Sequence, residues 1–262
     1  MDEIRLGLRI DLPHGRAYAD LPDLLRLLDA FRVRATFFVA LGPDPGRRRP
    51  WAPLGRRHAG TLRALAAEGH ELGATAYDPA RWRREVLRRD RDWVKGQLGR
   101  ALAAHDRLLG GRPRGVAVPG GLLNAAVPEV EAALGFDYAV DTRGRFPYLP
   151  EGGGCVQLPL SLPTPEEALA RGEPLDDLHQ FVFMETQRAV LPGHLFAWTC
   201  GGGAPLEVLG RLLTMWLGSQ RPVGPVAALY AQLQREGLPR HPILLRRDAG
   251  GGQSAVQGGR RR

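Results

Sequence analysis

The 262-residue sequence is short of lysine, cysteine and long apolar runs, and each shortage narrows what the protein can be. Lys95 is the only lysine, although lysine and arginine together number 36 and the formal net charge is +8. A strong preference for arginine, together with 34 glycines, is typical of a GC-rich genome, so the basicity is weak evidence for nucleic-acid binding. The two cysteines, Cys155 and Cys200, fit no zinc-binding spacing, which favours free thiols in a reducing compartment.

No stretch reaches the roughly 18 apolar residues that a membrane helix requires. The first residues, MDEIRLGLRID, are charged and lack the apolar core of a signal peptide, which predicts a cytoplasmic protein. One hypothesis is that the arginine-rich segments 47–49, 81–91 and 260–262 attach the chain peripherally to the anionic inner membrane. Solvated surface is the simpler interpretation of these segments, and nucleic acid is not the expected partner. The sequence also lacks a P-loop and a GxSxG motif.

Strand-like and helix-like segments alternate along the chain, which predicts an α/β fold with a parallel sheet. Eight apolar runs typical of strands occur at residues 4–10, 35–41, 71–75, 115–120, 136–142, 156–162, 194–200 and 222–226. A long amphipathic helix is predicted over 83–109, and a loop over 42–57. Residues 1–246 are therefore predicted to form one barrel domain. Residues 247–262, rich in Gly and Arg and without apolar periodicity, are predicted to be a disordered tail.

Several distinctive motifs fall at the predicted strand ends, where α/β barrels carry their active sites. In chain order they are LRIDLPHGR, FFVALGPDPGRR, EGHELGATAYDPARW, AVDTRGRFPY and QLPLSLPTPEEAL. This series resembles the NodB-type polysaccharide deacetylases, carbohydrate esterase family four, and most closely those that deformylate undecaprenyl-phosphate formamido-arabinose. The resemblance implies a distorted (β/α)7 TIM-like barrel. It also implies a hydrolase that removes N-acyl groups from amino sugars with the help of zinc or another divalent metal.

The catalytic roles that the resemblance assigns are largely missing from this sequence. The general base falls at Asp11, which is present, but the three metal ligands fall at Pro13, Thr75 and Pro79. None of these three residues offers the histidine, cysteine or carboxylate ligand that zinc sites use, so no metal or other cofactor is expected. The histidine that protonates the leaving amine falls at Thr199. The sequence therefore predicts a pseudoenzyme, a non-catalytic homologue that keeps the scaffold.

Some residues beside the former metal site are retained and form the predicted binding site. Asp141 and Arg143 of the DTRG motif are intact, and Arg143 is expected to bind a phosphate or carboxylate while Asp141 orients it. Tyr77 and Trp82 suit stacking on a sugar ring, and equally suit core packing. Together with Thr199 they predict a site for a sugar or lipid-linked sugar in the barrel mouth. An active paralogue of the same family is a further candidate partner.

Two alternatives remain open from the sequence. In the first, Asp11, His14 and Asp78 rebuild a metal site, or Asp11 works without a metal, and the protein is an active amino-sugar N-deacylase. The simpler interpretation makes His14 a loop residue and Asp78 the cap of a helix that begins at Pro79. In the second alternative, the arginine runs bind an anionic surface or nucleic acid, with an affinity that falls steeply as salt rises.

Overall fold

The computed structural model describes residues 3–44, 53–188, 190, 192–233, 237–247 and 253–259. Within them strands and helices alternate, as predicted. The strands are β1 (Leu6–Leu12), β2 (Thr36–Val39), β3 (Glu71–Ala74), β4 (Gly115–Val116), β5 (Tyr138–Ala139), β6 (Thr142–Arg143), β7 (Leu149–Pro150), β8 (Val156–Gln157), β9 (His194–Thr199), β10 (Val223–Gly224), β11 (Arg240–His241), β12 (Ile243–Arg247) and β13 (Gln253–Gln257). The helices are α1 (Ala17–Ala30), α2 (Leu54–Ala67), α3 (Pro79–Glu85), α4 (Arg91–Leu109), α5 (Ala126–Ala133), α6 (Pro165–Arg171), α7 (Leu175–Thr186), α8 (Leu206–Gly218) and α9 (Val226–Ala231).

The main sheet is a curled, parallel wall in the order β9-β1-β2-β3-β4-β5-β8. Strand β10 pairs with Leu6 and Gly7 at the start of β1, and β2 pairs with the same edge of β1 from Arg9 onward. Because β10 and β2 share one edge, β10 adds no width, and the wall is seven strands wide. The space between β8 and β9 is bridged by Ser161 and Leu162, whose backbone N–H groups both donate to the Leu195 carbonyl at 3.3 Å. This arrangement confirms the predicted distorted (β/α)7 barrel.

Strand β1 lies at the centre of the fold and divides its residues between two environments. Leu6, Leu8, Ile10 and Leu12 are almost completely buried in the apolar core that β1 shares with α1 and α8. Because side chains alternate along a strand, the residues between them point to the other face, into the barrel. This alternation directs two polar side chains of β1 toward the barrel mouth, where the strands end.

Two predicted elements differ from those observed. The helix predicted over 83–109 is divided into α3 and α4 by a short 3₁₀ turn at Val86–Arg88. The side chain of Asp90 accepts a hydrogen bond from the Trp93 N–H at 2.9 Å and thereby starts α4 as a new helix. The loop predicted over 42–57 is shorter than expected, since α2 already begins at Leu54.

The prediction of a disordered tail is wrong for Gln253–Gln257. This segment forms β13, which pairs antiparallel with β12 and parallel with β6, so that Ala255 lies opposite Thr142. Ala255 is completely buried against the core cluster around Trp82. The strand thus belongs to the barrel domain, while 248–252 and 260–262 lie outside the described residues. Among the residues that are described, no helix is both long and apolar enough to cross a membrane.

Removal of residues 248–262 is therefore expected to destabilise the whole barrel. The truncation deletes β13, its ladder with β6 and the buried Ala255. We expect a loss of about 2 kcal/mol, which for a domain of this size lowers Tm by about 4–8 °C. Thermal unfolding followed by circular dichroism measures the shift, and removal of 260–262 alone is the matched control. Equal Tm values for the two truncations would contradict a structural role for β13.

Candidate functional site

A polar cleft opens at the carboxyl ends of the barrel strands, where the fold class predicts a site. It has a main chamber of about 260 Å³ and, adjoining it, a narrow chamber of about 30 Å³. Five residues line both chambers and so mark where they meet: Arg9, Asp11, Arg83, Gly120 and Thr199. The strands β1 and β9 pair in register with Asp11 opposite Thr199, which fixes these two residues side by side at the barrel mouth.

A partly buried ion pair holds the candidate base in position. The Nε of Arg9 donates to both carboxylate oxygens of Asp11, at 2.9 and 3.1 Å. The Nη1 of Arg9 donates to the Val140 carbonyl at 2.6 Å, and its guanidinium lies 5.3 Å from the centre of the Phe38 ring. Residues two apart on a strand point to the same side, so the LRID motif itself creates the pair. Because the guanidinium is planar and permanently charged, it fixes the orientation of the Asp11 carboxylate.

The three inherited ligand positions meet at the narrow chamber but offer no metal ligand. Pro13, Thr75 and Pro79 all line it, together with Asp11. A zinc site needs about three protein ligands of the histidine, cysteine or carboxylate type. Of these four residues only Asp11 is one, so the residues present do not fit a metal ion.

The alternative metal site does not form either. In the described part of the chain, no group of three or more histidine, cysteine, aspartate or glutamate side chains is arranged to hold a metal ion, and that part includes Asp11, His14 and Asp78. Asp78 instead caps α3, with its carboxylate accepting the Arg81 N–H at 2.9 Å. His14 is not among the residues that line either chamber.

The predicted pairing of Asp141 with Arg143 is not observed. Asp141 is 3% exposed in the floor of the main chamber, where its Oδ1 accepts the Val118 N–H at 2.6 Å. Arg143 lines the same chamber but forms its ion pair with Glu167 and donates to the Leu162 carbonyl. Arg143 is therefore already neutralised within the protein, and the expectation that Asp141 orients it is wrong.

Of the two aromatic candidates, Trp82 is excluded as a sugar platform in this structure. Its side chain is fully buried, its indole N–H donates to the Leu122 carbonyl at 2.8 Å, and its ring lies 5.7 Å from that of Trp93. Tyr77 is partly buried and lines neither chamber, and the guanidinium of Arg100 lies 5.3 Å from its ring centre. Both residues pack rather than face the cleft.

Glu166 and Arg83 are among the cleft residues that were not predicted from the sequence. Glu166, in the first turn of α6, lines the main chamber, and its Oε1 accepts the Thr199 N–H at 3.2 Å. Arg83 is exposed, lines both chambers, and makes no hydrogen bond or ion pair with another residue that the structure describes. A carboxylate directly after the strand-end motif LPLSLPT is the sequence signal that points to Glu166.

The electrostatic environment sets Glu166 apart from the other carboxyl groups of the cleft. Burial raises the pKa of Glu166, hydrogen bonds from the backbone, Thr199 and Thr164 offset part of this rise, and the nearby charge of Asp11 adds a smaller increase. Burial likewise raises the pKa of Asp141, which lies close to the fully buried Glu131, and the pKa of Glu131 is raised for the same reason. The cleft therefore favours neutral carboxyl groups at several positions.

Comparison with known proteins agrees with this geometry. The family model described as polysaccharide deacetylase matches residues 15–139. This part of the chain, slightly less than half of its length, is thus similar to the polysaccharide deacetylases. A curated relative, "Probable 4-deoxy-4-formamido-L-arabinose-phosphoundecaprenol deformylase ArnD" from Shewanella sediminis, is 24% identical over 201 residues, which cover 64% of this chain. The match spans 66% of that relative, just under two thirds of its length.

Solved structures support the same fold. The allantoinase PuuE superposes with a TM-score of 0.67 at 17% identity, over 88% of this chain and 90% of its own. A protein described as a CE4 family pseudoenzyme, from Bacillus anthracis, superposes with a TM-score of 0.60 at 17% identity, over 92% of this chain and 70% of its own. At these identities the similarity establishes the shared barrel and not a shared activity.

Arg9→Met is expected to lower the free energy of unfolding by about 3 kcal/mol, because it leaves the Asp11 carboxylate without its ionic partner. The double variant Arg9→Met/Asp11→Asn removes the stranded charge and is expected to recover part of this loss. Urea unfolding of the wild type and of the Arg9→Met, Asp11→Asn and double variants measures the coupling between the two side chains. Strictly additive effects would show that the ion pair does not carry the predicted stability.

Proposed function

We propose that this chain binds an N-acyl amino sugar, free or lipid-linked, in the barrel mouth and does not perform the metal-dependent deacylation of its relatives. The observation that carries the proposal is the convergence of Pro13, Thr75 and Pro79 beside Asp11. Without ligands for a metal, the amide carbonyl is not polarised and no bound water is activated for Asp11 to deprotonate. The retained cleft then serves binding.

The class of sugar that we propose as ligand is taken from the name of the curated relative. That relative is named as a deformylase of a formamido-arabinose joined through phosphate to undecaprenol. A ligand of this kind presents an N-acyl amide at one end and a phosphate at the other. The cleft offers a matching pair of regions, since carboxyl groups gather beside Asp11 and the unpartnered Arg83 stands at the edge of both chambers.

Arg83, rather than Arg143, is the residue that we assign to an anionic group of the ligand. Arg143 is engaged by Glu167, so a phosphate would have to displace a formed ion pair. Arg83 has no such competitor among the described residues, and it lines both chambers together with Gly120. Arginine also binds phosphate through two parallel N–H groups.

The arginine runs give weaker support to an anionic surface or nucleic-acid partner. In the segment 81–91, Arg81 and Arg89 both form ion pairs with Glu85, at 3.0 and 2.9 Å, which offsets part of the basic charge there. The segments 47–49 and 260–262 lie outside the described residues. Peripheral membrane attachment, a cytoplasmic location and an active paralogue as partner stay predictions.

The first test restores the lost ligands. The untagged wild-type protein is expected to hold well under one metal ion per chain, whereas the variant Pro13→Asp/Thr75→His/Pro79→His is expected to hold about one zinc ion. The matched control replaces the same three residues by alanine. Elemental analysis after dialysis against zinc measures the content. About one metal ion per wild-type chain, lost on Asp11→Asn, would overturn the proposal.

A second test concerns Arg83. Its replacement by alanine is expected to weaken binding of formamido-arabinose 1-phosphate about tenfold, because one charge-assisted contact is lost, and to leave binding of the methyl glycoside unchanged. Arg84→Ala, which alters an exposed neighbour outside both chambers, is the matched control. Isothermal titration calorimetry gives both affinities. An equal loss of affinity for the two ligands would contradict a phosphate contact at Arg83.

A further inference from the structure

Two carboxyl groups from different parts of the chain flank Thr199, the position where the family's proton-donating histidine falls. Asp11 is the register partner of Thr199 across β1 and β9, and Glu166 accepts the Thr199 backbone N–H at 3.2 Å. Both line the main chamber. The two groups thus lie on either side of the point where β9 reaches the cleft.

The carboxyl groups of Asp11 and Glu166 differ in the side chains that contact them. Arg9 donates two hydrogen bonds to Asp11, so a permanently charged guanidinium faces this side chain. Among the described residues Glu166 has no ion pair with an arginine, and Arg143 of the same chamber pairs instead with the adjacent Glu167. The Oε1 of Glu166 accepts the Thr199 N–H at 3.2 Å, and Thr164 also hydrogen-bonds this carboxyl group.

We propose that Asp11 and Glu166 together recognise the amide of an N-acyl amino sugar. In this arrangement Glu166, as a neutral acid, donates a hydrogen bond to the acyl oxygen, and Asp11, as a carboxylate, accepts one from the amide N–H. The inference rests on the proposed function and assigns Glu166 the contact with the acyl oxygen that a metal makes in the catalytic relatives.

The shape of an amide requires two separate partners. In a trans amide the N–H and the C=O point in opposite directions, so one carboxyl group cannot bind both. A donor on one side and an acceptor on the other satisfy both groups at once, and satisfied polar groups are what a buried site needs. Asp11 and Glu166, arriving from β1 and from α6 on the two sides of Thr199, supply this combination.

Burial is the main factor that favours the neutral form of Glu166, and it outweighs the hydrogen bonds that favour the ionised form. Burial raises its pKa, and Asp11, facing it from β1, adds to the effect. The other ionisable groups of the chamber are Arg9 on β1, Arg83 on α3, Asp141 before β6, Arg143 on β6 and Glu167 on α6. Of the arginines, Arg9 forms an ion pair with Asp11, and Arg143 forms one with Glu167. The neutral donor is present below the pKa of Glu166 and is lost as the pH rises through it.

This arrangement predicts opposite pH dependence for two closely related ligands. The N-acyl ligand requires the proton on Glu166, so its binding weakens as the pH rises, by up to tenfold per pH unit above that pKa. The corresponding free amine is a cation, which two ionised carboxylates attract, so its binding strengthens over the same range. A purely structural role for Glu166 would not reverse the trend between the ligands.

The experiment uses the full chain and two probes, methyl 4-formamido-4-deoxyarabinoside and its 4-amino counterpart. Affinities are measured by isothermal titration calorimetry from about pH 5 to about pH 7, where the sugar amine stays mainly protonated. Glu166→Gln keeps a neutral donor at every pH, so it is expected to bind the formamido sugar without pH dependence. Asp11→Asn is expected to weaken binding of the formamido sugar at every pH. Glu68→Gln, at the exposed end of α2, is the matched control.

The outcomes separate the inference from the function on which it rests. If both ligands bind and the wild type shows the opposite trends, which Glu166→Gln abolishes for the formamido sugar, the inference holds. If both ligands bind but follow the same trend, or Glu166→Gln keeps the wild-type pH dependence, the inference is overturned and the proposed function stands. If neither ligand binds at any pH, both are overturned. The comparison of ligands on the wild type does not depend on the folding of any variant.

Discussion

The ion pair between the buried Arg9 and the partly buried Asp11 is the interaction on which the cleft depends. A charge removed from water must be paired, and here the pair is completed by the hydrogen bond from Arg9 to the Val140 carbonyl. That bond links β1 to the segment just after β5, across the interior of the barrel. The same side chain therefore fixes the Asp11 carboxylate and ties the central strand to the far side of the wall.

The ion pair also explains how the cleft persists without ligands for a metal. In a metal site the cation offsets the charge of the surrounding carboxylates. Here Arg9 is the cation that faces Asp11, and the ligand positions carry compact residues, Pro13 and Pro79, that need no counter-charge. The narrow chamber of about 30 Å³ that remains beside them has room for little more than a water molecule. Ligand recognition must then come from the larger chamber.

The sequence predicted the barrel well and the site only in part, for identifiable physical reasons. Strands β2 and β9 are recognisable because they are largely apolar, and β1 because leucine and isoleucine occupy every second position. The convergence of the lost ligand positions followed from the order of the motifs. The sequence does not reveal the direction in which a side chain leaves the end of its strand or helix. The contacts expected for Trp82 and Arg143 were wrong for this reason. Strand β13 was missed because its stability comes from pairing with β6, more than 100 residues earlier in the chain.

The balance of charge in the cleft explains why a neutral amide and an anion form the expected ligand. Arg9 is offset by Asp11 and Arg143 by Glu167, and burial raises the pKa of both Glu166 and Asp141. The acidic residues that line the main chamber therefore contribute less negative charge than their number suggests. Arg83, which has no ion-pair partner among the described residues, then contributes an uncompensated positive charge to the mouth. A cationic free amine, the product of the family reaction, meets a less favourable potential there than an N-acylated sugar phosphate, so the cleft is better suited to hold a substrate-like molecule than to retain a product.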